Sequence, residues 1–150
     1  MDFGGAIVMY TYKVYVTRVV DGDTVDVDID LGFGMIYKKQ RVRMMGIDTP
    51  ESRTRDLEEK FYGKQSKKFL ESLLKDKKVK LISHDKGKFG RILGELFIDD
   101  PRNSISVNQL MIENHHAVPY YGDSKDKTEQ HHLNNRIALN EQGIKYDANS

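Results

Sequence analysis

Two short acidic motifs in the first third of the chain have the residue types and spacing that could do chemistry. The DGDT motif at residues 21–24 places carboxylates on a tight turn between two apolar segments. The DTPE motif at residues 48–51 has two carboxylates separated by a threonine and a proline. Carboxylate oxygens bind hard divalent cations, and a free carboxylate can orient or deprotonate a water molecule. Hydrolytic chemistry is therefore one interpretation of this pair of motifs.

Each motif alone also has an ordinary structural interpretation. Asp-Gly is a common hairpin signal, which accounts for residues 21–24 without any chemistry. The DTPE motif matches a standard helix start, with Thr49 as the N-cap, Pro50 at the first helical position and Glu51 in the first turn. Taken singly, the two motifs favour these structural interpretations.

Two arginines strengthen the chemical interpretation. Arg43 lies in an apolar segment five residues before Asp48, and Arg91 closes a glycine-containing basic loop at residues 85–91. Either arginine alone is compatible with a solvated surface charge. Phosphodiester cleavage, however, needs oxygen ligands for a cation, a carboxylate for the attacking water and arginine forks for the charge that builds up on the phosphate. The combination therefore predicts a site for cleaving phosphodiesters.

Other metal sites find little support in the sequence. Asp26, Asp28 and Asp30 mimic the start of a calcium loop, but Leu31 replaces its glycine and Tyr37 its final glutamate. The chain has no cysteine, which excludes disulfides and thiolate zinc sites. None of the five histidines has the spacing of a zinc peptidase motif; they are His84, His115, His116, His131 and His132. The two His-His pairs are interpreted as polar surface rather than as metal ligands.

The elements that must position these residues are strands first. Five segments are rich in β-branched and aromatic residues or alternate between apolar and polar residues: 12–20, 24–31, 37–47, 79–83 and 92–98. In the second of them, Val25, Val27 and Ile29 share one face. The first three segments form an antiparallel meander. The pattern predicts an α+β fold with a five-stranded β-barrel and about three helices.

Three segments have helical spacing. Residues 55–75 place apolar side chains on one side and lysines on the other. Ser104 is the predicted cap of a short helix that includes Val107, Leu110 and Met111. A final helix is predicted for residues 128–142, with Leu133, Ile137 and Leu139 facing inward.

Composition and charge fit a single globular domain. The 150 residues are 38% hydrophobic and 31% charged, and the formal net charge is +1. Residues 38–91 contain 17 Lys and Arg against 8 Asp and Glu, a net charge of +9, whereas the rest of the chain has −8. This asymmetry suggests one phosphate-binding face, although most of the lysines are interpreted as a solvated surface.

In order and spacing, the segments 19–24, 43–51 and 85–91 resemble the staphylococcal-nuclease-like (thermonuclease) family. The resemblance covers residues 12–121 and is weaker through the last helix. It implies an OB-fold barrel with three helices and calcium-dependent endonuclease activity on DNA and RNA, usually with a preference for single strands and with 3′-phosphate products. Another divalent cation in place of Ca²⁺ is the alternative.

The resemblance also implies roles for individual residues. Asp23, Asp48 and the carbonyl of Thr49 would bind the metal ion, and Glu51 would orient or activate the water. Arg43 and Arg91 would bind the phosphate and stabilise its transition state. The nucleotide would contact four residues near the second arginine and late in the domain, which are Lys88, Phe89, Tyr120 and Tyr121.

The chain departs from the family pattern at three places. Phe89 replaces the usual tyrosine, so stacking is kept and a hydroxyl contact is lost. Tyr120 follows Pro119, which can shift the aromatic wall. The charged segment 52–59 borders the predicted site and is interpreted as a solvated helix entry rather than a determinant of strand preference.

The expected organisation is a leader at residues 1–11, a nuclease-like domain at 12–145 and a tail at 146–150. No basic residue precedes the short apolar segment 6–9, so no secretory signal is predicted and a cytoplasmic location is expected. The expected partner is DNA or RNA, preferably single-stranded, with no membrane and a monomeric protein. The alternatives are a non-catalytic nucleic-acid-binding or scaffold module on the same fold, and a protein-interaction module.

Overall fold

The computed structural model describes residues 10–86, 90–99 and 104–148. Within these ranges the chain forms eight strands and three helices. Their order is β1 (Tyr10–Asp21), β2 (Thr24–Gly32), β3 (Met35–Met44), β4 (Ile47–Asp48), α1 (Leu57–Leu74), β5 (Val79–Lys86), β6 (Ile92–Ile98), β7 (Ile105–Ser106), α2 (Val107–Glu113), β8 (Val118–Pro119) and α3 (Lys125–Glu141).

The five long strands close into a barrel. They are hydrogen-bonded in the order β3-β2-β1-β5-β6, and a parallel pairing of β3 with β6 joins the two ends of the sheet. The neighbouring pairs within this order are antiparallel. The short strand β7 extends the edge of β6, and β4 pairs with β8 in a separate two-stranded sheet. The predicted α+β fold with a five-stranded barrel and three helices is confirmed.

The barrel interior follows the alternation in the sequence. Val25 and Val27 are fully buried and Ile29 is nearly so, because successive side chains of a strand point to opposite faces. Leu70 of α1 and Met111 of α2 are also fully buried in the same core. Both helices therefore pack on the barrel through apolar side chains.

The interpretation of DTPE as a helix start is wrong. Residues 49–56 form an irregular segment, and α1 begins at Leu57. Asp56 is the N-cap, and its carboxylate accepts hydrogen bonds from the backbone N–H groups of Glu58 and Glu59 at 3.1 and 3.2 Å. Asp56, and not Thr49, therefore satisfies the free N–H groups at the start of the helix. The DTPE motif is thus free of any helix.

Two further helix boundaries differ from the predictions. Ser106, and not Ser104, is the N-cap of α2, because its hydroxyl accepts a hydrogen bond from Gln109 N–H at 3.2 Å. The last helix begins at Lys125, three residues earlier than predicted, with Ser124 as its cap. Among the helices of the described ranges, none combines the length and apolar character needed to cross a bilayer.

The inward face of α3 is polar, contrary to prediction. Leu139 is buried, but Leu133 and Ile137 are 42% and 60% exposed. The face toward the protein also contains Asn135, which donates to the carbonyl of Ala117 at 3.0 Å. Because α3 is held largely by polar contacts, the apolar pattern does not indicate which face is docked.

Described residues of both the expected leader and the expected tail contact the rest of the domain. Strand β1 begins at Tyr10, so Tyr10 and Thr11 of the expected leader belong to the barrel. Residues 1–9 and 149–150 lie outside the described residues. At the other end, the ring of Tyr146 lies 5.9 Å from that of Phe61, measured between centroids, so the tail contacts α1 where it begins.

Candidate functional site

Asp23 lies in the tight turn between β1 and β2 and is 9% exposed. Its carboxylate accepts hydrogen bonds from the Thr24 hydroxyl at 2.9 Å and from the Thr49 backbone N–H at 3.3 Å. Strand pairing brings Arg43 to the same place, since Thr24 is opposite Arg43 in the β2–β3 ladder. The turn therefore places one predicted carboxylate beside one predicted arginine.

Arg43 contacts both predicted metal carboxylates. Its Nη2 lies 3.3 Å from Oδ2 of Asp23 and 3.6 Å from Oδ1 of Asp48. Its Nη1 donates to the carbonyl of Met44 at 2.8 Å, which fixes the plane of the guanidinium. Two carboxylates from different elements thus converge on a single positively charged nitrogen.

Asp48 has a second partner from the far end of the chain. His132 Nε2 on α3 lies 2.8 Å from Oδ2 of Asp48, and the His132 side chain is only 15% exposed. The pairing of β4 with β8 places Asp48 opposite Val118, close to the start of α3. The interpretation of His132 as polar surface is wrong, because its side chain is largely buried against Asp48. The His131–His132 pair was the one signal in the sequence that pointed to it.

The environments of the two carboxylates differ. Burial raises the pKa of the Asp23 carboxyl above its usual value, although the Arg43 guanidinium and the hydrogen bond from Thr24 act in the opposite direction. The Asp48 side chain is 34% exposed. Asp23 is therefore a desolvated carboxylate for which a nearby positive charge is favourable.

The segment after Asp48 is held from two sides. Ser52 donates to the carboxylate of Asp21 through its backbone N–H at 3.3 Å and through its hydroxyl. Helix α1 approaches so closely that a Cβ on Gly63 would lie 2.4 Å from the carbonyl oxygen of Glu51. Asp21 is thus a positioning residue that the sequence analysis missed, although it belongs to the same acidic motif as Asp23.

Two adjoining cavities form a cleft beside Arg43, named here the Arg43 cleft. The first has a volume of about 750 Å³ and is lined by Arg43, Asp48, Tyr120 and His132 among others. The second, of about 460 Å³, shares Arg43 and Tyr120 and adds Arg91 and Tyr121. Both predicted arginines therefore line one surface, with two tyrosines beside them.

The tyrosines are placed by the β4–β8 region. The backbone N–H of Tyr120 donates to the Gly46 carbonyl at 2.9 Å. The ring of Tyr121 lies directly over Gly46, where a Cβ would be 3.0 Å from its hydroxyl oxygen. Tyr120 and Tyr121 are 39% and 77% exposed, so their rings are available for contact with a ligand.

Three of the predicted site residues, Asp23, Thr49 and Glu51, do not line either cavity of the Arg43 cleft. Glu51 follows Thr49 and Pro50 on the exposed side of the segment. Lys88 and Phe89 lie outside the described residues. The roles given to all five of these residues therefore stay predictions.

The oxygen groups near Arg43 fit a divalent cation in their chemistry. Asp23 and Asp48 supply carboxylates, and the hydroxyl oxygen of Thr49 is buried without a hydrogen-bond partner among the described residues. In the same ranges no three His, Cys, Asp or Glu side chains gather closely enough to hold a metal ion by themselves. A cation here would need backbone, phosphate or water oxygens beyond the two carboxylates.

The sequence pattern of the family described as Staphylococcal nuclease homologue matches residues 41–142. The chain belongs to this family. The match includes Arg43, Asp48 and Arg91 of the cleft, and also His132. The predicted family resemblance is therefore confirmed.

Several relatives in the family have names that refer to nucleases. The chain is 38% identical to a thermonuclease of Staphylococcus hyicus over 90 residues, which cover 59% of this chain and 48% of that one. It is 35% identical to an uncharacterized endonuclease of Escherichia coli over 97 residues, covering 65% and 54%.

A more extensive match is to an archaeal protein. The chain is 30% identical over 138 residues to an uncharacterized protein of Methanocaldococcus jannaschii, with 79% of this chain and 64% of that one covered. The matched region is thus 48% to 64% of the length of these three relatives.

Proposed function

We propose that this protein is a divalent-cation-dependent endonuclease, with Ca²⁺ as the metal, that hydrolyses phosphodiester bonds in DNA or RNA. The observation that carries the proposal is the position of the Arg43 guanidinium between the carboxylates of Asp23 and Asp48, 3.3 and 3.6 Å away, in a cleft shared with Arg91. Family membership and the names of the relatives add support.

The two carboxylates and the Thr49 carbonyl are the proposed cation ligands. When bound, the cation would neutralise phosphate charge and polarise the P–O bonds. Asp23 suits this role because its buried carboxylate gains from a neighbouring positive charge. Arg43 already places one positive charge 3.3 Å from this carboxylate.

Arg43 and Arg91 are the proposed phosphate-binding groups. A guanidinium donates two parallel hydrogen bonds to phosphate oxygens, and this geometry stabilises the charge that develops as the nucleophile attacks. Tyr120 and Tyr121 line the same surface and offer aromatic faces on which unstacked bases can pack. Exposed bases are a property of single strands, which supports single-stranded nucleic acid as the preferred substrate.

Glu51 is the proposed group that handles the water. In the reaction a water oxygen bonds to phosphorus, its proton passes to the Glu51 carboxylate, and the P–O5′ bond breaks to leave a 3′-phosphate. Solvent supplies the proton for the 5′ oxygen. The contacts of Ser52 with Asp21 and of α1 with residue 51 hold this segment in place.

The test is cleavage of a single-stranded DNA oligonucleotide with Ca²⁺, with Mg²⁺ and with EDTA. We expect Ca²⁺-dependent cleavage that EDTA abolishes and that Glu51→Gln lowers about 10²- to 10⁴-fold. Glu141→Gln, an exposed site at the end of α3, is the matched control and should cleave like wild type. Tight binding without cleavage under every metal would instead support a nucleic-acid-binding module on the same fold.

A further inference from the structure

Another cavity, separate from the two that form the Arg43 cleft, lies on the other side of the segment that follows Glu51. It has a volume of about 620 Å³ and lies between residues 52–55 and one stripe of α1. Five of its seven lining residues are basic and none is acidic; the basic ones are Arg53, Arg55, Lys60, Lys64 and Lys67. The cavity is therefore a concentrated positive surface beside the Arg43 cleft.

The placement of these charges follows from the helix. Lys60, Lys64 and Lys67 are spaced by four and three residues, so they lie on the same face of α1. Within the described part of the chain none of the five basic groups has an ion pair. Unpaired like charges repel one another, and an anion bound between them would relieve that repulsion.

This positive surface continues along the whole of α1. Lys67 also lines a neighbouring cavity, together with Arg18 and Lys75. Leu74 and Asp76 are shared between that cavity and the next one, which is the third along α1. The third cavity adds Lys13, Lys77 and Lys78. We name this continuous surface, from residue 53 to residue 78 with Lys13 and Arg18 of β1, the basic groove.

The basic groove has the dimensions of a polymer site. An 18-residue helix is about 27 Å long, which far exceeds a single phosphate group. Ten basic residues line the groove against two acidic ones, Glu71 and Asp76. A row of spaced positive charges with little acidic opposition suits a chain of phosphates.

The groove and the Arg43 cleft meet at one short segment. Arg55 lines the groove, whereas the next residue, Asp56, lines the Arg43 cleft. The basic groove therefore borders the Arg43 cleft along this segment. In the sequence these lysines and residues 52–59 have the character of a solvated surface. No spacing in the sequence shows that residues 52–55 and the lysines of α1 share a cavity.

We propose that the basic groove binds the phosphate backbone of a nucleic-acid strand on one side of the bond to be cleaved. This inference rests on the proposed nuclease function for its context, but the groove itself is defined by charge and shape alone. It makes affinity depend on strand length and on salt, because each neutralised phosphate releases counterions.

The test measures binding of the full chain to labelled single-stranded DNA of 6 and 30 nucleotides, by fluorescence anisotropy in EDTA at several salt concentrations. The variant is Lys60→Gln/Lys64→Gln/Lys67→Gln. The control is Lys38→Gln/Lys39→Gln/Lys145→Gln, which removes the same charge from exposed positions outside the groove. Arg53→Gln/Arg55→Gln is a second groove variant that leaves α1 unchanged.

We expect the groove variants to lower affinity for the 30-mer at least about 10-fold at low salt and to reduce the preference for the 30-mer over the 6-mer. With single strands, loss of three phosphate contacts lowers the slope of log affinity against log salt by about 2. Groove and control variants with equal slopes and affinities would overturn the proposal.

Two further outcomes separate the groove from other interpretations. If wild type cleaves DNA while the groove variants bind like the control, the groove proposal fails and the nuclease proposal stands. If wild type does not cleave but the groove variants lose affinity, the nuclease proposal fails and the groove proposal stands. Binding to phosphatidylserine vesicles that depends on these lysines, without a matching effect on DNA, would assign the groove to a lipid surface and overturn the proposal.

Discussion

His132 Nε2 lies 2.8 Å from Oδ2 of Asp48, across 84 residues of sequence. Arg43 contacts the other oxygen of the same carboxylate at 3.6 Å. Asp48 is thus oriented by one group from the barrel and one from α3. A carboxylate held in this way is presented to a ligand in a fixed direction, and loss of a partner of this kind typically lowers metal affinity about 10- to 100-fold.

Replacing His132 tests this positioning role. We expect His132→Ala to weaken Ca²⁺ binding about 10- to 100-fold, as measured by calorimetry, because Asp48 loses one of its two partners. His132→Gln, whose amide can also donate, should restore part of the affinity. Asn134→Ala, exposed on the same helix, is the control. Equal Ca²⁺ affinity in all three variants would remove His132 from this role.

Arg43→Lys should lower the cleavage rate strongly, although the substitution keeps the positive charge. Lysine cannot contact Met44 and both carboxylates with one planar group, nor fork two phosphate oxygens. We expect kcat for oligonucleotide cleavage to fall about 10²- to 10³-fold. Arg41→Lys is the matched control, since Arg41 pairs with Asp26 on the outer face of the barrel. Similar rates for the two variants would contradict the phosphate-binding role of Arg43.

Gly63→Ala should displace the segment that includes Glu51. The added Cβ would meet the Glu51 carbonyl oxygen at 2.4 Å and Ser52 N at 2.7 Å. Alanine favours a helix over glycine by about 1 kcal/mol, yet we expect the free energy of unfolding to fall by about 1–3 kcal/mol, with cleavage reduced as well. Ser72→Ala in the same helix is the control. A stabilised, fully active Gly63→Ala would show that the segment moves freely.

Asp23→Asn should stabilise the metal-free protein and abolish its response to Ca²⁺. Burial raises the pKa of Asp23 in the folded protein above its value in the unfolded chain. The folded protein therefore keeps the carboxyl proton to higher pH, and its free energy of unfolding decreases as the pH rises from the unfolded to the folded pKa. At neutral pH we expect the variant to have a higher free energy of unfolding than wild type in EDTA, because an amide avoids the cost of burying a charge. Denaturant titrations with and without Ca²⁺ provide the measurement. A less stable variant in EDTA would mean that the charge of Asp23 is needed for its contact with Arg43.

His116 should make stability fall in mild acid. Burial, with a smaller effect of His115, lowers the pKa of His116 from 6.5 to about 4, and its ring stacks on Phe69 at 4.5 Å. Between these two pH values the unfolded chain binds a proton that the folded protein does not. The free energy of unfolding should therefore decrease as the pH is lowered from about 7 to about 4. The expected loss at pH 5 is about 1–2 kcal/mol.

His116→Phe is the variant that tests this dependence. It keeps an aromatic ring against Phe69 and removes the titrating group. Its free energy of unfolding, measured by denaturant titration from pH 7 to pH 4.5, should depend less on pH than that of wild type. Parallel curves for the two proteins would assign the acid sensitivity to other groups.

The barrel could be predicted because its signals are local. Val25, Val27 and Ile29 alternate with aspartates, and a strand of that pattern has one face for the core wherever it lies in the sheet. The motifs also named Asp23 and Arg43, which come together because the β2–β3 ladder places Thr24 opposite Arg43. The fold was thus determined by local sequence patterns, whereas the roles of the site residues stay predictions.

The docking of α3 and the basic groove depended on tertiary structure. Helix α3 faces the protein with His132 and Asn135, and no apolar period marks such a face. The groove joins residues 53–55 to Lys60, Lys64 and Lys67, and the charges alone do not reveal that a folded loop closes one side of it. Sequence patterns report which side chains avoid water. Polar contacts between distant segments gain their energy only when the folded chain brings both partners together, so they leave no periodic signal in the sequence.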